Sequence, residues 1–164
     1  MIFLVNIRKL IVDACILIAK FRGEDPAFQM QHTEAFLDII KDNNFKIIII
    51  EKVFKETDKY PSLKSSIDEW KTDLESKGKL ELIKTKEFKN KHDEVVNIMN
   101  EAENEEINLS FQDALQAQYA SETKIPLITW DSGLIDYCIL KNIDAFRPNE
   151  FIEYFERADS TVEK

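Results

Sequence analysis

The stretch Lys46 to Ile50 (KIIII), with four consecutive β-branched isoleucines, constrains the fold more than any other part of the sequence. Its length and composition predict a strand buried on both faces, which is typical of parallel sheets. Two further buried strands are predicted at Leu10 to Val12 and Ile125 to Ile128, and another short strand at Ile143 to Phe146. The alternating stretch Lys79 to Lys84 is either a strand or an extended connection.

Between these strands, apolar residues recur at the spacing that is typical of helices. Helices are expected at about residues 14–21, 27–41, 53–59, 61–76, 89–104, 110–123, 132–141 and 148–157. Strands that alternate with helices predict an α/β fold, a three-layer α/β/α sandwich around a mainly parallel sheet. A chain of 164 residues without repeats or a linker predicts one domain over residues 1–164, with its core at about 10–157 and a frayed tail at 158–164.

Charge and cysteine content narrow the function classes. The formal net charge is -9, so no general basic face for nucleic acid is expected, although a nuclease that binds cations in a carboxylate cluster can be acidic overall. Cys15, Cys138 and the two histidines lack the spacing of a zinc site. Charged residues interrupt the apolar stretch Met1–Phe21, and no uninterrupted part of it approaches the ~20 apolar residues that a membrane span needs. A cytoplasmic protein without membrane contact is expected.

Four acidic residues occupy positions that a parallel sheet brings together. Asp13 and Asp131 end the first and fourth main strands, Glu56 lies six residues after KIIII, and Asp113 lies at the start of a helix. The carboxyl ends of parallel strands meet at one edge, where such sheets bind ligands. Clustered carboxylates repel each other unless cations neutralise them, and hard oxygen ligands suit Mg²⁺ or Mn²⁺.

Each acid also has a local explanation. Asp113 follows Ser110 by three residues, the spacing of a capping box. Asp131 is suited to cap the next helix, and Glu56 to be a solvated helix residue among lysines. Asp13 is the hardest to explain locally, because it lies between apolar stretches where an unpaired charge is costly.

In four stretches the sequence resembles the PIN-domain family of metal-dependent ribonucleases. IVDACILIA, IIIIEKVFKET, LSFQDALQAQYASETKIPLITWD and AFRPNEFIEYF are similar to the motifs of that family. The resemblance implies a PIN-like fold, Mg²⁺ or Mn²⁺ as cofactor and RNA as substrate. It assigns the catalytic and metal-binding acids, and two hydroxyls in support of them: Asp13, Glu56, Asp113 and Asp131, with Thr129 and Ser132. Cys15 departs from the Ser, Thr or Asn that is usual in the family.

The resemblance implies an endoribonuclease, either a VapC-type toxin with an antitoxin partner or an RNA-processing enzyme, and a possible homodimer. The lysines at 84, 86, 89 and 91 are candidates to contact the RNA backbone, and Trp130 to stack on a base. Two alternatives stay open. One is a catalytically inactive binding module of the same fold. The other is a phosphotransfer receiver domain, which would need an acidic pair beside the first strand, where only Asp13 stands.

Overall fold

Strands and helices alternate along the chain as expected. The computed structural model describes residues 8–22 and 27–162, with side chains at 8–22 and 29–158. The apolar start at residues 1–7, the predicted break at 23–26 and the last two residues lie outside this part of the chain. The elements are β1 (Lys9–Val12), α1 (Ala14–Arg22), α2 (Ala27–Asp42), β2 (Lys46–Ile50), α3 (Glu51–Phe54), α4 (Pro61–Ser76), β3 (Leu80–Ile83), α5 (His92–Asn104), α6 (Phe111–Thr123), β4 (Leu127–Ile128), α7 (Ser132–Leu140), β5 (Ala145–Phe146) and α8 (Pro148–Val162).

All five strands of the sheet are parallel, in the order β3-β2-β1-β4-β5. The chain builds outward from β1 through β2 to β3, and then returns to the other side of β1 with β4 and β5. The strand order therefore reverses between β1 and β4, and open α/β sheets bind ligands beyond the strand ends at such a point. A receiver domain has the order 2-1-3-4-5, so this topology excludes the receiver alternative.

Side chains of alternate residues divide the core into two layers. Leu10 and Val12 of β1 pack with helices α1, α2, α4 and α8 on one face of the sheet. Ile11 packs on the opposite face with α6 and α7, and all three residues are fully buried. Burying each such side chain contributes about 1.5–3 kcal/mol. Among the described residues, no helix combines the length and apolar content of a membrane span.

Some predicted boundaries are confirmed and others differ; strands β4 and β5 each begin two residues later than expected, at Leu127 and Ala145. The strand at Lys46–Ile50 and the helix at Pro61–Ser76 have the predicted limits. The helix expected over residues 53–59 is instead the short α3 followed by a 3₁₀ turn over Lys55–Lys59. Pro61 explains why the 3₁₀ turn ends at Lys59, because proline disfavours helical backbone at the residue before it. A 3₁₀ turn at Thr85–Phe88 likewise precedes α5, which begins at His92 rather than near residue 89.

Helix α8 also differs from its prediction, since it continues to Val162 although its end was expected at about residue 157. The apolar face of α8 runs from Phe151 through Phe155 to Ala158, which all pack on the core. This packing extends the helix into the stretch that was predicted to fray.

Candidate acidic active site

Asp13 is the buried centre of the acidic edge. It follows β1 directly, its backbone N–H donates to the Ile128 carbonyl at 3.0 Å, and its side chain is only 4% exposed. Its Oδ2 accepts hydrogen bonds from the Thr129 hydroxyl at 2.7 Å and from the Cys15 thiol at 3.2 Å. Oδ1 has no hydrogen bond to any described residue. The carboxylate is thus fixed through one oxygen, and the other remains available.

Thr129 and Cys15 join the ends of β1 and β4. The buried Thr129 hydroxyl also accepts a hydrogen bond from the Asp131 backbone N–H at 3.0 Å. The Cys15 sulfur accepts from the Trp130 N–H at 3.3 Å. Burial and the nearby Asp13 raise the pKa of Cys15 well above its usual value, so the sulfur is a thiol that can donate. Cys15 therefore provides the polar contact that the sequence left open at this position.

Asp131 is the N-cap of α7, as its position before that helix predicted. Its Oδ1 accepts from the Leu134 N–H at 2.9 Å, and the side chain is exposed. Gly133 gives this carboxylate room, because a Cβ at that position would lie 3.3 Å from Asp131 Oδ1. Sequence reasoning did not single out Gly133, although a glycine two residues after a capping acid was visible. The cap leaves the second carboxylate oxygen of Asp131 at the edge of the sheet.

Asp113 lies in the predicted capping box at the start of α6. Its N–H donates to the Ser110 hydroxyl at 3.1 Å, and its Oδ2 accepts from the Ser110 N–H at 3.2 Å. Burial raises the pKa of Asp113 to about 6, and the negative charges of Asp13 and Asp131 add to the rise. The cap therefore does not isolate this acid from the other carboxylates.

Glu56 lies in the 3₁₀ turn after α3 and is half-buried. Burial raises its pKa to about 7, with further contributions from Asp13, Asp113 and Asp131, while Lys59 partly offsets them. Because three acids from three other parts of the chain act on Glu56, the site extends from β2 to β4. The local explanation of Glu56 as a solvated helix residue therefore does not account for its partial burial or for its interaction with the other acids.

The four acids form a mutually repelling group that fits a hard divalent cation by donor type, since all the donors are carboxylate oxygens. They are not drawn together into a coordination shell. Among the described residues, no group of three or more His, Cys, Asp or Glu side chains is close enough to hold a metal ion. The structure thus places the predicted acids at one edge of the sheet without a formed metal site.

Two other predicted side chains have structural contacts. The Ser132 hydroxyl accepts from Arg147 Nη2 at 3.5 Å, which links the starts of α7 and α8. The Trp130 indole donates to the buried Thr33 hydroxyl at 2.9 Å, and its ring packs on the core. Packing therefore accounts for Trp130 better than base stacking does.

Two of the four candidate RNA-binding lysines are ion-paired. Lys84 lies 3.6 Å from Glu51, and Lys91 lies 3.1 Å from Glu122 and 3.7 Å from Glu94. These carboxylates already neutralise part of the positive run.

Comparison with known proteins gives a likeness of fold. No family model and no curated protein matches the sequence. A solved structure of FitAB bound to an IR36 DNA fragment is similar to this chain with a TM-score of 0.58 and 16% sequence identity. The match covers 85% of this chain and 94% of that chain. Together with the parallel five-stranded sheet, the similarity confirms the predicted α/β/α architecture, which is a PIN-like fold.

Proposed function

We propose that this protein is a divalent-metal-dependent endoribonuclease that hydrolyses RNA phosphodiester bonds. The observation that carries the proposal is the electrostatic convergence of Asp13, Glu56, Asp113 and Asp131 at the point where the strand order reverses. Folding holds these acids near each other although each raises the cost of ionising the next. Such an arrangement is expected where bound cations supply the missing positive charge.

Mg²⁺ or Mn²⁺ would be held by these four carboxylates and, when bound, would lower the pKa of a water molecule and neutralise charge on the phosphate. Thr129 and Cys15 hold Asp13 through Oδ2 and leave Oδ1 as its available ligand atom. Glu56, which is half-buried beside the other acids, would be a further ligand or would orient the water.

Such an enzyme has two forms that differ in their partners, and the similar structure favours one of them. FitAB is a toxin–antitoxin complex bound to DNA. This supports a toxin-like ribonuclease that binds an antitoxin, and the homodimer stays a prediction. An RNA-processing enzyme without an antitoxin is the other form of the same proposal.

One observation favours a second candidate, a PIN-fold binding module without catalysis. The described acids do not form a grouped metal site, and oxygens of Asp113 and Asp131 already cap helices. In that case the acidic edge would remain without a function in hydrolysis, and the protein would bind nucleic acid or a partner chain only.

Cleavage of labelled single-stranded RNA with Mg²⁺ or Mn²⁺, and with EDTA, separates the two candidates. We expect cleavage by the wild type that EDTA and Asp13→Asn both abolish, while the control Asp136→Asn, at an exposed position of α7, cleaves normally. Circular dichroism would show that the Asp13 variant is folded. Undiminished cleavage in EDTA or in Asp13→Asn would refute the metal mechanism, and RNA binding without cleavage would favour the binding module.

A further inference from the structure

A cationic and aromatic cluster lies beside the acids and has no part in the proposed chemistry. Phe111 is the first residue of α6, and the Lys52 ammonium lies 4.4 Å from the centroid of its ring. The His92 ring lies 5.6 Å from the same centroid, tilted by 34°. Phe111 and Lys52 are half-buried, and His92 is exposed. Phe111 thus supports a histidine ring that solvent can reach.

The cluster lies at the edge of the sheet that carries the acids. Lys52 belongs to α3, directly after β2, and precedes Glu56 by four residues. Phe111 precedes Asp113 by two residues in the first turn of α6. Any chain that crosses the acids at this edge therefore has the cluster within reach.

Lys52 differs in its charge balance from Lys64, Lys84 and Lys91, and resembles Lys55 and Lys59, which also make no salt bridge with a described residue. Lys84 and Lys91 are paired with glutamates, and Lys64, which also lies over a phenylalanine ring, is bridged to Asp58 at 2.9 Å. Lys52 makes no salt bridge with any described residue. The chain has a net charge of -9, so its carboxylates outnumber its lysines and arginines. A lysine that is not paired with a carboxylate can bind a phosphate without first losing such a partner.

We propose that Lys52, His92 and Phe111 form a binding site for single-stranded RNA next to the scissile bond. An unpaired base stacks on the His92 ring, which Phe111 supports from behind, and Lys52 binds the adjoining phosphate. Stacking requires an exposed base face, which a duplex does not offer, so the cluster selects unpaired strands. The inference rests on the proposed function, from which it takes RNA as the ligand. It places an RNA contact at this cluster, whereas the sequence analysis expected one at the lysines of residues 84–91.

Binding is measured by fluorescence anisotropy in the Asp13→Asn background, with a single-stranded RNA of about 12 nucleotides and a duplex of the same length. His92→Ala is expected to weaken single-strand binding about tenfold, since stacking contributes about 1–3 kcal/mol per base. His92→Phe keeps a ring at that position and should restore binding. Lys52→Ala should lower the slope of log Kd against log salt by about one, as for one lost phosphate contact.

Lys64→Ala is the matched control, because it removes a lysine from a phenylalanine face without removing an unpaired charge. It should leave RNA affinity unchanged. Equal affinities of wild type, His92→Ala and Lys52→Ala for the single strand would overturn the inference. So would an equal loss on the duplex, which indicates non-specific charge, or failure of His92→Phe to restore binding.

The same variants distinguish failure of this inference from failure of the proposed function. Cleavage by the wild type with unchanged RNA affinity in the cluster variants would overturn the inference and retain the ribonuclease. Binding that depends on His92 and Lys52, in a protein that cleaves no RNA, would support the inference for a binding module and overturn the ribonuclease.

Discussion

Replacing Asp113 with asparagine separates its role as a helix cap from its role among the acids. Asparagine keeps the shape of the side chain and can still accept the hydrogen bond from the Ser110 N–H. It removes one negative charge from a group whose members repel each other. If Asp113 only caps α6, the variant should be about as stable as the wild type. If Asp113 also repels the other acids, its replacement should make the metal-free protein more stable.

The size and sign of the effect follow from the pKa of Asp113, which is raised from 3.8 to about 6. Between these values the folded protein binds the proton and the unfolded chain releases it. Stability therefore falls as pH rises through this window, and the full cost is present above about pH 6. A rise of that size corresponds to about 3 kcal/mol in a fully buried group. Because Asp113 is partly exposed, solvent screening leaves about 1 kcal/mol.

Urea unfolding in EDTA measures this difference. We expect Asp113→Asn and wild type to be equally stable near pH 4, and the variant to be more stable by about 1 kcal/mol near pH 7.5. Asp136→Asn, at an exposed position of α7, controls for a general change in net charge. Mg²⁺ should then raise the melting temperature of the wild type more than that of Asp113→Asn. A variant that is as stable as the wild type at both pH values and gains as much from Mg²⁺ would return Asp113 to the capping box alone.

Two further substitutions test the hydrogen bonds around Asp13 and the backbone strain at the end of α6. Thr129→Val removes the hydroxyl that binds Asp13 and the Asp131 N–H, and should cost about 1–3 kcal/mol in urea unfolding and weaken metal-induced stabilisation; an unchanged protein would contradict the proposed role. Lys124→Gly should stabilise the protein by about 0.5–1 kcal/mol, because Lys124 has a left-handed backbone with φ of 64°. The matched Lys77→Gly, at a helix end with φ of -92°, should give no such gain, and equal effects would show that backbone strain is not the cause.

The fold and the positions of the acids could be predicted because they depend on local patterns. KIIII is buried on both faces whatever its partners, so its boundaries matched. The Ser110–Asp113 box is decided within four residues. Asp13 and Asp131 lie at the same edge of the sheet because they come after β1 and β4, which are parallel neighbours.

Contacts between distant segments could not be predicted in the same way. The thiol of Cys15 reaches Thr129 and Trp130 only because β1 pairs with β4. His92 meets Phe111 only because the starts of α5 and α6 lie side by side in the fold. The extent of α8 depends on the core against which Phe155 and Ala158 pack. Sequence periodicity carries none of this tertiary information.

Titration of Mn²⁺ into the protein, followed by the loss of the free-ion EPR signal, tests most directly whether the acidic edge is a metal site. We expect the wild type to bind Mn²⁺, excess Mg²⁺ to compete for the same site, and Asp136→Asn to bind as the wild type does. Asp13→Asn should lose this binding while keeping its fold, because Asp13 is the buried acid at the centre of the group. Equal Mn²⁺ binding by wild type and Asp13→Asn, or no binding by either, would contradict the proposed metal-dependent ribonuclease.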